Sequence, residues 1–168
     1  MTIIMREVEY QALRDLARSG EEHCGYLVCT AEPPDSPFAG HMLVVGVYPT
    51  GEGDMGMVRD NPRRSESLKK FLAQNTGNEF LILQWHTHVV DTPFSPYDMQ
   101  EFPRQDDMLG GMPHYLFTPG QVYSTRREGS GYRSDHPEDL PLLIPEDDAA
   151  AIIIRRMKQL VSQELEIL

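Results

Sequence analysis

Histidine, aspartate and serine side chains gather in the stretch Trp85–Asp98, WHTHVVDTPFSPYD, at spacings that suit a metal centre. The run before it, Glu79–Trp85, is largely apolar and follows Asn75-Thr76-Gly77-Asn78, so it reads as a buried strand entered from a turn. His86 and His88 stand at the end of that strand. Residues two apart on a strand project from one face, so both imidazoles converge without help from a loop. Ser95-Pro96 then reads as a helix start, with Ser95 as N-cap and Pro96 in the first helical position. Asp98 falls one turn in and can face back toward the strand. Two neutral imidazoles and one carboxylate leave the fourth tetrahedral position of zinc open to water, which is the hydrolytic rather than the structural pattern.

Each half of this pattern also has a plain reading. Ser-x-x-Asp alone is a variant of the helix capping box, and His-x-His alone is an ordinary pair of surface or core histidines. Together they favour a metal, with the carboxylate ten residues beyond the second histidine and a Pro-containing bend between. His86, His88 and Asp98 are therefore the expected ligands of one zinc per chain. A facial iron site uses the same donor types, but it commonly pairs His-x-Asp/Glu with a distant histidine.

The elements that must position these residues can be read in order. Thr2–Met5 suits a short edge strand, and Glu7–Arg18 carries Val8, Ala12, Leu13 and Leu16 as a helix stripe stopped by Ser19-Gly20. Glu21–Cys29 and His41–Tyr48 read as strands of one hairpin, joined by a loop with Pro33, Pro34 and Pro37. Pro49–Asp60 is Gly-rich, but Glu52 and Asp54 would repel a phosphate, so it is expected to be a mobile loop near the site. Asn61-Pro62 opens a helix to about Gln74, with Leu68, Phe71 and Leu72 on its apolar face. The helix begun at Ser95 runs to about Leu109 and ends at Gly110-Gly111. His114–Thr118 and Gln121–Arg126 form a hairpin about Pro119-Gly120, with His114 a strand-end residue rather than a ligand. Arg126–Pro145 is expected to be a loop or lid without regular structure. Pro145–Leu168 reads as an amphipathic helix with the stripe Ile152, Ile153, Met157, Leu160 and Val161, which packs on the sheet or forms the seam of a homodimer.

At 168 residues the chain suits one domain, residues 1–168, whose core needs no disulfide or metal staple. The net charge of -11 repels a phosphate backbone, which argues against nucleic acid and suits either a basic partner or simple solubility. No stretch approaches a membrane span and Met1–Gly20 lacks the apolar core of a signal peptide, so a cytoplasmic protein with no membrane partner is expected. Cys24 and Cys29, five apart on one strand, point to opposite faces and cannot pair; both read as reduced, small core residues.

Glu22-x-Cys24-Gly25-x-Leu27 in an early strand, with His86-x-His88, a Pro-containing loop and Ser95-x-x-Asp98, resembles the JAMM (MPN or JAB) metalloprotease family over roughly residues 5 to 126. The resemblance implies an α/β (α+β) fold: a single JAMM/MPN-like domain with a mixed, mostly antiparallel central sheet flanked by helices, in a cytidine-deaminase-like layout. It also implies roles. Glu22 would be the general base toward zinc-activated water, His86, His88 and Asp98 the zinc ligands, and Ser95 a stabiliser of the oxyanion. Glu21 is the rival base, but the Glu-x-Cys-Gly register selects Glu22.

Active members hydrolyse isopeptide or peptide bonds after the C-terminus of ubiquitin or ubiquitin-like proteins, and small bacterial versions often accompany E1- and E2-like enzymes. The resemblance thus implies a deubiquitinase-like peptidase whose substrate tail adds to a sheet edge as a strand. It leaves two alternatives: an inactive MPN scaffold, and a phage-tail-type peptidase. The chain departs from the family pattern in two places. Six residues, Val89–Phe94, separate His88 from Ser95 where the family usually has seven, and Val89 stands where proline often follows the second histidine.

Overall fold

Apolar runs bounded by turn residues become strands of one sheet, and the amphipathic stretches between them become its helices. The computed structural model describes residues 2–31, 40–53, 59–75, 80–109, 112–134 and 137–168. Its first half runs β1 (Thr2–Arg6), α1 (Glu7–Ala17), β2 (Glu22–Ala31), β3 (His41–Gly53), β4 (Arg59–Asp60), α2 (Pro62–Gln74) and β5 (Phe80–Thr87). The second half adds α3 (Pro96–Leu109), β6 (His114–Phe117), β7 (Val122–Glu128) and β8 (Gly131–Ser134). A short 3-10 helix (Pro137–Asp139), β9 (Leu142–Ile144) and α4 (Ala149–Ser162) complete it.

The strands form one sheet in the order β8-β7-β6-β5-β2-β3-β1-β9, with β4 pairing on β3. β2 is antiparallel to β3 and β5, β3 to β4, β6 to β7 and β7 to β8, whereas β1 is parallel to β3 and β9, and β5 to β6. This is the expected α/β (α+β) class: a mixed, mostly antiparallel sheet flanked by helices. On one face Ile4, Val28, Leu43 and Tyr48 pack with Phe71 of α2 and Ile154 of α4. On the other, Met5, Leu27, Leu83, Trp85, Tyr115 and Phe117 cluster with Leu13 of α1. β1 and β6 lie well apart in strand order yet share this second core, so the sheet curls around α1. Each large apolar side chain buried there contributes ~1.5–3 kcal/mol. No helix among the described residues is long and apolar enough to cross a membrane.

The helix starts follow the local chemistry. Asn61 caps α2 by accepting from Arg63 N–H, with Pro62 in the first helical position, and Asp148 caps α4 by accepting from Ala150 N–H. Past the end of α1 the chain turns through Gly20, whose φ of 87° few other residues tolerate.

Several boundaries differ from expectation. β1 is interior rather than an edge, because β9 pairs along its outer side. Pro49–Gly53 continues β3, and Arg59–Asp60 pairs back on it, so the loop expected over Pro49–Asp60 is strand at both ends; residues 54–58 lie outside the described residues. Arg126–Pro145 is not without structure: it holds the end of β7, β8, the 3-10 helix and β9, and Arg126 Nε reaches Asp139 Oδ2 at 3.0 Å. α4 starts at Ala149 because Asp148 is its cap, and it ends at Ser162 rather than Leu168. Its buried side is Ala150, Ala151, Ile154 and Val161, small residues letting the helix approach the sheet, while Ile152 and Leu160 are 44% and 55% exposed. The loop with Pro33, Pro34 and Pro37, the turn at Thr76-Gly77-Asn78 and the stop at Gly110-Gly111 lie outside the described residues.

Candidate metal centre

Along β5 the side chains of Leu83, Trp85 and Thr87 are fully buried toward α1, and Gln84 and His86 are half-buried on the opposite face. His86 and His88 share that second face. His88 follows the last strand residue, and its N–H donates to Phe117 O at 3.2 Å, extending the tie between β5 and β6 by one residue. From α3, Ser95 and Asp98 form a reciprocal cap: Ser95 Oγ accepts from Asp98 N–H at 3.1 Å, and Asp98 Oδ2 accepts from Ser95 N–H at 2.8 Å. The cap turns the carboxylate toward the strand. Asp98 Oδ2 lies 3.2 Å from His86 Nε2 and 3.2 Å from His88 Nε2, and ligand atoms of all three residues lie within 4.8 Å of one another.

The hydrogen bonds around the site select protonation states. His88 Nδ1 faces Thr92 O at 3.2 Å and Thr92 Oγ1 at 3.1 Å; the carbonyl only accepts, so a ring proton belongs on Nδ1, and Nε2 bonds Asp98 Oδ2 at 3.2 Å through a second proton that a metal ion would displace. His86 Nε2 is within ion-pair range of Asp98 Oδ2, but the alignment is not that of a hydrogen bond, and this buried nitrogen has no hydrogen-bond partner among the described residues. A buried donor atom without a proton partner, aimed where a second imidazole and a carboxylate converge, fits a metal ion. Burial opposes charge on His88, but the bond to Asp98, the Asp98 charge, Thr92 O and the Glu22 charge outweigh it and raise its pKa. Burial likewise opposes charge on Asp98, and the facing imidazoles with the Ser95 N–H overcome it, holding the carboxyl far below the usual carboxylate range.

Glu22 opens β2, which pairs with β5 in the register Cys24↔His86 and Gly25↔Trp85. Continued by two residues, that register sets Glu22 across from His88, whose pKa its charge helps to raise. The strands are tied at this end by His23 N–H, which donates to Thr87 Oγ1 at 2.9 Å. Gly25 lets β2, β3 and β5 meet: a Cβ there would fall 2.2 Å from Tyr48 O and 2.8 Å from the Trp85 ring. β2 also shifts register against β3 between Cys24 and Gly25. Cys29 lies in the α1 core, as its parity requires. Cys24 does not behave as a core residue: it is half-buried directly across from His86, with Sγ 3.9 Å from Thr50 Oγ1.

The residues that brace His86 and His88 carry little signal of that role in the sequence. Phe94 packs on His86 at 5.6 Å between ring centroids and edge-on against Phe102 at 5.3 Å. Phe102 in turn stacks on His114 at 4.3 Å, and His114 Nδ1 bonds Gln84 Oε1 at 3.2 Å, so His114 is a buttress and not part of the convergent set. Tyr132 of β8 also packs on Phe102, at 5.5 Å. A threonine four residues after the second histidine was the one available hint of Thr92. The aromatic braces gave none, since their contacts depend on how α3 lies over the sheet.

No protein-family model matches the sequence, and no curated protein matches it. Among solved structures the chain is similar to the solution structure of protein DSY2949 from Desulfitobacterium hafniense, with a TM-score of 0.56 and 16% identity over 86% of this chain and 94% of that one. At that identity the likeness speaks to the fold alone.

Proposed function

We propose that this protein is a zinc-dependent peptidase or isopeptidase of the JAMM type, hydrolysing the bond after the C-terminus of a ubiquitin-like protein. The observation that carries the reading is the convergence of His86 Nε2, His88 Nε2 and Asp98 Oδ2, with Glu22 brought across from His88 by the β2–β5 register. His86, His88 and Asp98 would hold the ion. A zinc ion with that donor set lowers the pKa of water toward neutrality and polarises a carbonyl oxygen. Glu22 accepts the proton of the attacking water and delivers it to the leaving amine. Thr92 keeps the His88 proton on Nδ1, and Phe94 fixes the His86 ring. Ser95 Oγ accepts from Asp98 N–H, which leaves its hydroxyl hydrogen to offer to the oxyanion. The substrate class rests on the resemblance of the two-part motif.

The test begins with metal content by elemental mass spectrometry, run beside His88→Ala. About one zinc per chain, lost in the variant, supports the centre; no zinc after zinc is supplied overturns it. Ubiquitin-like fusions then serve as substrates. Glu22→Gln should keep zinc and lose about 10²- to 10⁴-fold in cleavage rate. Cleavage by Glu22→Gln at the parent rate sinks the mechanism.

A further inference from the structure

The loop from Val89 to Phe94 has an anchor of its own. Thr92 N–H donates to Val90 O at 2.8 Å, closing a three-residue turn with Asp91 at its centre. Asp91 Oδ1 accepts from the Thr118 hydroxyl at 2.6 Å and from Gly120 N–H at 2.7 Å, which pins this turn to the connection between β6 and β7. The Thr118 hydroxyl also lies 3.2 Å from Gln121 O, but the carboxylate is closer and charged and takes the hydrogen. Gly120 is part of the fit: a Cβ there would lie 2.8 Å from Asp91 Oδ2. The residue after this anchor, Thr92, is the one whose carbonyl and hydroxyl face His88 Nδ1.

We propose that Asp91 is a positioning residue of the metal centre: by pinning the turn to Thr118 and Gly120 it holds Thr92 against His88 Nδ1, which ties down the ring's Nδ1–H and aims Nε2 toward Asp98. This rests on the reading of His86, His88 and Asp98 as metal ligands. It also accounts for a span of six residues before Ser95, because the closed turn takes up little chain and its anchor replaces the stiffness of a proline after the second histidine.

The experiment compares the parent chain with Asp91→Ala and Asp91→Asn. It reads zinc affinity by chelator competition and, in the zinc-free protein, the protected His88 Nδ1–H signal by nitrogen-15 NMR. Loss of a partner that orients a ligating histidine weakens metal binding about 10- to 100-fold, so Asp91→Ala should fall in that range and lose the protected Nδ1–H signal. Asp91→Asn keeps an oxygen for the Thr118 hydroxyl and Gly120 N–H, and should recover most of the affinity and the Nδ1–H form. Parent affinity and an undiminished Nδ1–H signal in Asp91→Ala would overturn the proposal, as would an Asn variant no better than Ala. If the parent binds no zinc, the ligand reading fails by itself. The Nδ1–H signal then decides for Asp91: its loss in Asp91→Ala with recovery in Asp91→Asn upholds the anchor, and an unchanged signal overturns it.

Discussion

Replacing Gly25 by alanine tests whether the close approach of β2 to its neighbours sets the geometry of the site. The new Cβ would meet Tyr48 O at 2.2 Å, Pro49 Cα at 2.9 Å and the Trp85 ring at 2.8 Å. Two of these are backbone atoms and the third belongs to a fully buried indole, so no flexible side chain can swing aside. An ordinary carbon–oxygen approach is about 3.3 Å, so β2 and β3 must part locally by about 1 Å. Overpacking of this kind costs about 1–3 kcal/mol, and the backbone clash puts Gly25→Ala near 3 kcal/mol. For a chain of this length that is a fall in Tm of about 6–12 °C.

The strand that must shift, β2, is the one that carries Glu22. Glu22 lies three residues before Gly25 on β2, whereas His86 and His88 belong to β5 and its end and Asp98 to α3. A catalytic group misplaced by about 1 Å costs on the order of 100-fold in rate, while the ligand set keeps its own supports. Gly25→Ala should therefore keep about one zinc per chain and lose about 100-fold in cleavage of a ubiquitin-like fusion below its lowered Tm. Denaturant unfolding, elemental analysis and fusion cleavage on one preparation read the three quantities. Parent stability together with parent turnover would refute the argument.

Other outcomes follow from the same geometry. Phe94→Ala removes the ring packed on His86 and should weaken zinc binding about tenfold by chelator competition, without loss of the fold. The folded pKa of His88 is raised above 6.5, so its proton stabilises the metal-free fold fully below pH 6.5, and that contribution disappears as pH rises through the raised value. In chelator, the Tm advantage of the parent over His88→Asn should thus shrink with rising pH; with zinc, which competes with the proton, it should grow. Asp91 is held below the usual carboxylate range by the Thr118 hydroxyl and then the Gly120 N–H. Its anchor should remain at pH values just below 3.8 and fail only as pH drops further, read as loss of the downfield Gly120 amide signal. Glu9 is buried against Arg6 Nε at 2.8 Å and Lys158 Nζ at 3.0 Å. Glu9→Leu leaves the buried Arg6 with the half-exposed Glu146 carboxylate alone, 3.3 Å away, and should cost about 3 kcal/mol in denaturant unfolding.

What the sequence disclosed tracks how local the responsible physics is. His86 and His88 were legible because a strand repeats every two residues, and Asp98 because Ser95-Pro96 follows the grammar of a helix start. The opposite faces of Cys24 and Cys29 follow from the same parity, but which face holds the site depends on pairing with β5, and so Cys24 was misjudged as core. Glu22 entered only through the family resemblance, since nothing local distinguishes it from Glu21. β9 has three residues and no period to detect; it exists because β1 offers it an edge. The buried side of α4 was misread because Ala150 and Ala151 are too small to announce a core face, while the larger Ile152 and Leu160 are exposed. Asp91, Thr92 and Phe94 depend on how a turn, a hairpin and a helix meet, which is tertiary information throughout.

The supports of His86, His88 and Asp98 argue that a metal held there would serve chemistry and not folding. His86 and His88 are carried by the end of a strand whose reverse face is locked by Trp85, Leu83 and Thr87. Asp98 is oriented by a cap that α3 requires in any case to satisfy its first N–H groups. The loop between them is tied to the β6–β7 connection through Asp91. None of these supports needs an ion, unlike small zinc domains in which binding energy is folding energy. A metal placed on such a frame would meet donors already aimed, so on the proposed reading its binding energy would go into activating water and carbonyl rather than into ordering chain. Because Asp98 lies close to two imidazoles, one of them with a raised pKa, a proton on His88 would be the competitor of such an ion at acid pH.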